Sequence, residues 1–414
     1  MTEVLSIVSP EFKELLEIMH EVNDLKMASN VLAWDQNTHM PKNGFAMRGR
    51  QLATLGKIAH EKFTDVRVGH LLDKLKSYEN IPDKNSFEAS FVRNTRHDYE
   101  KSLKVKKQLV AEILSHQSLC YEKWIQAKSE NNYSLVAPYL EKTLDLSRQY
   151  SQSFQYKHIA DPLIQESDEG FDTQSVQALF TDLKKQLVPL VRKVTENFQA
   201  DDSVLKGNFS VAAQEKFGRF IIEHLGYDFN RGRIDTTHHP FMISFAHGDV
   251  RITTRYNTND LCDGLFSLIH EVGHAFYEMG IDEALDGTAL FSGASSGVHE
   301  SQSRLWENIV GRSREFWQYF LPKLQESFPQ FQKTSLESFY KAINKVSRSL
   351  IRTDADELTY NLHVCIRFDL ELALLEDKLN IHDLPHAWNA LYEDVLGVTP
   401  TNDAEGCLQD VHWY

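Results

Sequence analysis

The residues with the greatest chemical capacity lie at 270–274, where the chain reads His-Glu-Val-Gly-His. Imidazoles four positions apart on an α-helix differ by about 40° around its axis, so His270 and His274 leave the same face. Their neutral nitrogens can share one Zn²⁺, and Glu271 beside them can take a proton from a metal-bound water. The alternative is a pair of satisfied core histidines. Gly273 weighs against it. Glycine costs roughly 1 kcal/mol in a helix interior and needs a reason; close approach of another backbone, such as a sheet edge, would supply one.

A catalytic zinc needs a third protein ligand and an open position. Glu300, within the run Val-His-Glu-Ser-Gln-Ser-Arg at 298–304, stands 26 residues past His274, room for a loop and a returning helix. Glu300, Ser303, Arg304 and Glu307 share one polar face there, and a solvated helix acid is the alternative for Glu300. His299 is a rival ligand, but it points about 100° away from Glu300, so the two do not suit one ion. A further polar segment, 351–356, carries Arg352 at the start of a helix with apolar positions Leu358, Leu362, Ile366 and Leu370. The planar fork of an arginine suits a carboxylate; pairing with Asp354 or Asp356 is the alternative.

These groups need rigid carriers. Residues 260–280 predict an amphipathic helix, capped by Asn259 or Asp260, with Asp263 in its first turn and Gly280 at its end. Its apolar side holds Leu265, Leu268, Ile269, Val272, Ala275 and Phe276. Just before it, residues 233–256 alternate through Val250, Ile252, Thr254 and Tyr256, with a turn signal at His247-Gly248-Asp249. This predicts a small hairpin or three-stranded sheet. The remainder reads as helix. Phe12, Leu15, Leu16, Met19, Val22 and Leu25 form a stripe, followed by an irregular stretch from Trp34 to Gly44. Residues 87–127 lack Gly and Pro and predict one helix of roughly 40 residues. The lysine-rich run within it reads as a solvated face. Further helices are expected over 135–155 and 175–198, with an acidic loop at 161–173 between them.

Composition bounds the rest. Over 414 residues, 44 Lys and Arg stand against 59 Asp and Glu, a net charge of −15 that argues against a general nucleic-acid binder. Only 19 Gly and 11 Pro argue against a many-turned β-sandwich and favour long helices. Cys120, Cys262, Cys365 and Cys407 are widely spaced, which predicts reduced thiols rather than a disulfide framework. Residues 1–20 read as a helix rather than a signal peptide, and no apolar run approaches a membrane span. A soluble cytoplasmic protein, with neither membrane nor nucleic-acid partner, is expected. No linker or repeat divides the chain, so residues 1–414 are expected to form a single mainly α domain.

Taken together the motifs resemble a known family, the HExxH metallocarboxypeptidases of the Taq carboxypeptidase type (M32). In order these are HPF at 239–241, DVRIT at 249–253, HEVGH at 270–274, HESQ at 299–302, IRTDAD at 351–356 and GCLQDVHW at 406–413; LAWDQNTHMP at 32–41 is also similar. The resemblance implies His270, His274 and Glu300 as metal ligands and Glu271 as general base. Arg352 would hold the substrate's C-terminal carboxylate, and His239, Arg251 and His412 would lie by the cleft. It implies long helices around a deep groove with a small sheet at the metal, and cytoplasmic homodimers that remove C-terminal residues from peptides with broad specificity, using Zn²⁺ or Co²⁺. Family members continue for several dozen residues past the last motif, whereas this sequence stops at Tyr414. The resemblance therefore also implies exposed apolar surface and impaired activity. The rival readings are a catalytically silent metal-binding helical protein and another HExxH peptidase, an oligopeptidase or aminopeptidase.

Overall fold

Ser9 starts the first helix. It is extended, its side chain accepts from the Phe12 N–H, and Pro10 occupies the first helical position. The computed structural model describes residues 9–237 and 239–413. The helical reading of residues 1–20 is met from Pro10 onward; residues 1–8 lie outside the described residues. The helix runs from Pro10 to Thr38 and buries Phe12, Leu15, Leu16, Met19 and Val22, as their spacing predicts. It also passes through Trp34, where an irregular stretch was expected. It gives way only near Pro41, whose ring disfavours helical geometry in the preceding residue.

The chain folds as two compact units, one holding the residues up to Leu103 with Ser203–Tyr340, the other Lys104–Asp202 with the residues from Lys341 on. The long helix expected over 87–127 is divided at this junction into Phe87–Lys104 and Lys107–Ser129, with Lys106 extended between them. Lys101, Lys104, Lys106 and Lys107 crowd like charge onto the turn that would have to be continuous, which disfavours helix there.

In the first unit, Phe12, Leu15 and Leu16 pack with Leu71, Leu72, Phe91 and Val92. The sheet has three strands: β1 (Ile234–Thr236), β2 (Met242–Ala246) and β3 (Asp249–Thr254). Their order is β1-β3-β2, with β1 parallel and β2 antiparallel to β3. Val250 and Ile252, the alternating positions, are fully buried.

The second unit is helical. Its core joins Trp124, Tyr133, Leu362, Ile366, Leu370, Trp388 and Tyr392. The acidic segment expected to be a loop contains a helix, Asp161–Ser167, with Pro162 in its first turn. The fold is thus mainly α with a small sheet beside the HEVGH helix, as the pattern predicts. Among the described residues no helix is long and apolar enough to cross a membrane.

Candidate metal centre

The HEVGH helix spans Leu261–Met279. Asp260 caps it, accepting from the Cys262 N–H, and Gly280 ends it. Asp263 in its first turn pairs with Arg255 at 2.7 Å. Leu265, Leu268, Ile269, Val272 and Ala275 are buried, so the helix is fixed along its apolar side. The helix Ser296–Arg304 returns beside it, capped by Ser295 through the Val298 N–H, and continues as a π-helical segment over Leu305–Val310. Gly273 has the physical reason expected, close approach of another backbone. A Cβ there would lie 2.6 Å from the Ser303 Cα and 2.7 Å from the Gln302 carbonyl oxygen. The backbone approaching it belongs to the returning helix, not to a sheet edge. That closeness brings Glu300 to the histidines.

Glu300 Oε2 lies 3.3 Å from His274 Nε2 and 3.6 Å from His270 Nε2. Ligand atoms from these three residues all fall within 4.8 Å of one another, and among the described residues they form the metal-competent cluster. On its far side, His270 Nδ1 meets Glu307 Oε2 at 2.9 Å. A carboxylate oxygen only accepts, so Nδ1 carries a proton, and in the neutral ring Nε2 keeps its lone pair. That lone pair and the acceptor oxygen of Glu300 face one another, an arrangement that a divalent cation satisfies. The donor set of two imidazoles and one carboxylate fits zinc chemistry.

The electrostatics are uneven. Burial pushes the Glu300 carboxyl up, but His274, His270 and Arg304 outweigh it and hold it at about 2. Arg304 bridges the two acids, with Nε 3.2 Å from Glu300 and Nη1 3.0 Å from Glu307. Glu271 goes the other way. Burial, opposed by His270 and aided by the charges of Glu300 and Glu307, raises it to about 7. The Met242 backbone on β2 opposes the rise, as the smallest of these influences. Burial lowers the His274 imidazole from its ordinary value. An acid tuned near neutrality beside a metal-competent triad is suited to take and return protons.

The structure brings His270, Glu271, His274 and Glu300 together. His299 does not join them as a ligand. Its Nδ1 lies 2.6 Å from His274 Nδ1 and its Nε2 lies 2.9 Å from Glu278. Also in the first unit, His239 is exposed just before β2. Arg251 is bound through two nitrogens to Asp249, 2.7 Å each, and lies over the rings of Trp34 and Phe245.

Arg352 and His412 belong to the second unit, where two motifs far apart in sequence meet. The Arg352 N–H donates to Gln409 Oε1 at 2.9 Å, and its guanidinium reaches Tyr360 Oη at 3.0 Å and His412 Nδ1 at 3.5 Å. Asp410 receives both His412 and Arg367, each at 2.9 Å. Neither Asp354 nor Asp356 pairs with Arg352. Asp356 instead caps the following helix through the N–H groups of Leu358 and Thr359. Sequence reasoning missed Glu307 and Glu278 as partners of the histidines. Their signal was spacing: Glu307 lies seven residues past Glu300, and Glu278 four past His274, each on the helix of a predicted ligand.

Two histidines and a buried glutamate on one helix, met by a carboxylate from the next, define the site of an HExxH metallopeptidase. Residues 14–414 match the model of the carboxypeptidase Taq (M32) metallopeptidase family, and the chain belongs to that family. It is 38% identical to carboxypeptidase 1 of Bacillus subtilis (strain 168) over 404 residues, 97% of this chain and 80% of that protein. The crystal structure of the M32 carboxypeptidase from Deinococcus radiodurans R1 matches with a TM-score of 0.94 at 44% identity, over 98% of this chain and 82% of that one. The structure of Pyrococcus furiosus carboxypeptidase, apo-Mg, gives a TM-score of 0.94 at 32% identity, with the same two coverages.

Proposed function

We propose that this protein is a metallocarboxypeptidase that releases C-terminal residues from peptides with broad side-chain tolerance. His270, His274 and Glu300 would hold the ion, Zn²⁺ in the first place and Co²⁺ as the alternative that the same donors admit. When bound, a divalent ion supplies Lewis acidity at neutral pH. Glu271 accepts a proton as the oxygen of water attacks the last peptide carbonyl, and returns it to the amine as the C–N bond breaks. Arg352 receives the free carboxylate. Its guanidinium contacts a hydroxyl and an imidazole but, among the described residues, no carboxylate, which leaves it the charge to bind one. His412, whose Nδ1 meets Asp410 at 2.9 Å, is assigned to the substrate on family resemblance. His239 and Arg251 are assigned to the substrate on family resemblance, with the guanidinium of Arg251 already held by Asp249.

The observation that carries this reading is the convergence of three acceptor groups, His270, His274 and Glu300, beside a buried glutamate poised near neutrality. We further assign the protein to the cytoplasm as a homodimer acting over residues 1–414 as one catalytic domain, with no nucleic-acid or membrane partner. The net charge of −15 supports the exclusion of nucleic acid.

The test is hydrolysis of an N-blocked dipeptide with a free C-terminus, before and after chelation and after re-addition of Zn²⁺. Activity that is lost and then restored supports the proposal. Turnover of a C-amidated analogue at an equal rate points to an oligopeptidase, and removal of residues from a free N-terminus points to an aminopeptidase. Metal binding without turnover of any of these peptides marks a silent metal-binding protein.

A further inference from the structure

His270 and His274 have different backing. His270 Nδ1 donates directly to a carboxylate, Glu307. His274 Nδ1 instead meets another imidazole, His299 Nδ1, at 2.6 Å. A contact between two ring nitrogens requires one to carry a proton and the other a lone pair. The next contact decides which. His299 Nε2 lies 2.9 Å from Glu278 Oε1, and Glu278 is buried. Glu278 Oε1 also accepts from the Gly293 N–H at 3.1 Å, which fixes it in place. A carboxylate accepts only, so His299 carries its proton on Nε2. In the neutral ring Nδ1 is then bare and accepts from His274 Nδ1–H. The His274 Nε2 lone pair is left facing Glu300.

We infer that Glu278 and His299 are positioning residues that set the tautomer of His274, so that its Nε2 is ready to take the metal. Glu278 follows His274 by one helical turn, while His299 directly precedes Glu300. The relay therefore ties the last turn of the HEVGH helix to the residue that supplies the third ligand. His299 is also boxed in sterically. A Cβ on Gly293 would lie 2.3 Å from its Cδ2, and Tyr277 packs against its ring with centroids 5.0 Å apart. A ring turned over would present carbons, not nitrogens, to His274 Nδ1 and Glu278 Oε1. This inference rests on the proposed metal site.

Two substitutions separate the hydrogen bond from mere bulk. His299→Phe keeps a ring against Tyr277 but removes the acceptor. His299→Asn places an amide oxygen near the position of Nδ1 and retains it. Zn²⁺ affinity, measured by chelator competition on the full chain, is expected to fall about 10- to 100-fold in His299→Phe and to recover most of that in His299→Asn. Imidazole ¹⁵N shifts of the metal-free wild type, with the His274 signal assigned by its loss in His274→Gln, are expected to show the Nδ1–H tautomer. An Nε2–H tautomer for His274 in wild type overturns the inference, whether or not the variants fold. So does His299→Phe with wild-type affinity, or His299→Asn as weak as His299→Phe. If wild type itself takes up no divalent ion, the metallopeptidase reading fails, while the tautomer measurement still decides the relay.

Discussion

Gly273→Ala puts the geometry of the two ligand helices to a direct test. By helix propensity alone the change should help, because alanine is favoured over glycine by about 1 kcal/mol in a helix interior. The structure reverses the sign. The new methyl would sit 2.6 Å from the Ser303 Cα and 2.7 Å from the Gln302 carbonyl oxygen, both backbone atoms that no side-chain rotation can move aside. Ordinary contact begins near 3.4 Å, so the returning helix must retreat by about 0.8 Å or carry the overlap. Overpacking against fixed backbone costs roughly 3 kcal/mol, and the propensity gain offsets about 1 of that, leaving a net loss near 2 kcal/mol. For a unit of this size that corresponds to a fall in Tm of about 4–8 °C. The functional loss is expected to be larger than the loss of stability. Glu300 rides on the displaced helix, and a misplacement approaching 1 Å at a reacting centre can cost about 100-fold in rate. Thermal unfolding of the metal-free protein, Zn²⁺ competition and kcat on an N-blocked dipeptide measure the three effects. A Gly273→Ala protein as stable as wild type with unchanged zinc affinity would refute the claim that this glycine exists to admit the second ligand helix.

Glu271→Gln should keep the metal, since Glu271 is not among the ligands, while kcat falls by about 10²- to 10⁴-fold, the usual worth of a positioned general base. Metal analysis beside turnover checks this, and retained turnover removes Glu271 from its role. Arg352→Ala should lower kcat/KM about 10- to 100-fold on free-carboxylate peptides, the loss of a charge-assisted contact of roughly 1.5–3 kcal/mol, with no matching loss on amidated ones. The ratio of the two rates is the readout, and equal losses refute carboxylate capture. In the second unit, Asp161 accepts from the Thr173 N–H and hydroxyl at 2.9 and 2.6 Å and from the His158 N–H at 2.8 Å. Burial pushes its carboxyl up, but these donors outweigh burial and hold it below its ordinary value. A depressed folded-state pKa contributes stability above the unfolded value, near 3.9, and loses it as pH falls through the folded one. Asp161→Asn should therefore cost about 2 kcal/mol at pH 7, with the gap to wild type closing below pH ~4 in urea unfolding.

The parts of the fold legible in the sequence were those with a strong period or a strong local signal. The stripe from Phe12 to Val22, the alternation of Val250 and Ile252 and the cap at Asp260 each state a local energy that no distant contact overrides. The misses came where a local signal was weak or was outweighed. The absence of Gly and Pro across 87–127 permits one long helix, but clustered lysine charge and the junction of two units divide it at Lys106. Acidity at 161–173 suggests a loop until Asp161 is seen to collect donors from both sides of a short helix.

The site shows the same limit more sharply. Helical spacing puts His270 and His274 on one face with Glu271 adjacent to the first, so their joint role follows from sequence. Spacing cannot say which side of an imidazole faces the metal. That depends on Glu307 for one histidine and on His299 with Glu278 for the other, contacts that exist only once the returning helix is in place. The reading of His299 shows how. Its direction on the helix argued against its being a ligand alongside Glu300, and it is not one; the same direction points it at the far nitrogen of a ligand. A residue adjacent to a predicted ligand and rejected on angle is thus a natural place to look for the group that holds a neighbouring ligand in position. The unequal backing also orders the two histidines. The one tied straight to a carboxylate is held through a single hydrogen bond, while the other depends on two in series, so loss of either link should weaken the His274 side of the site first.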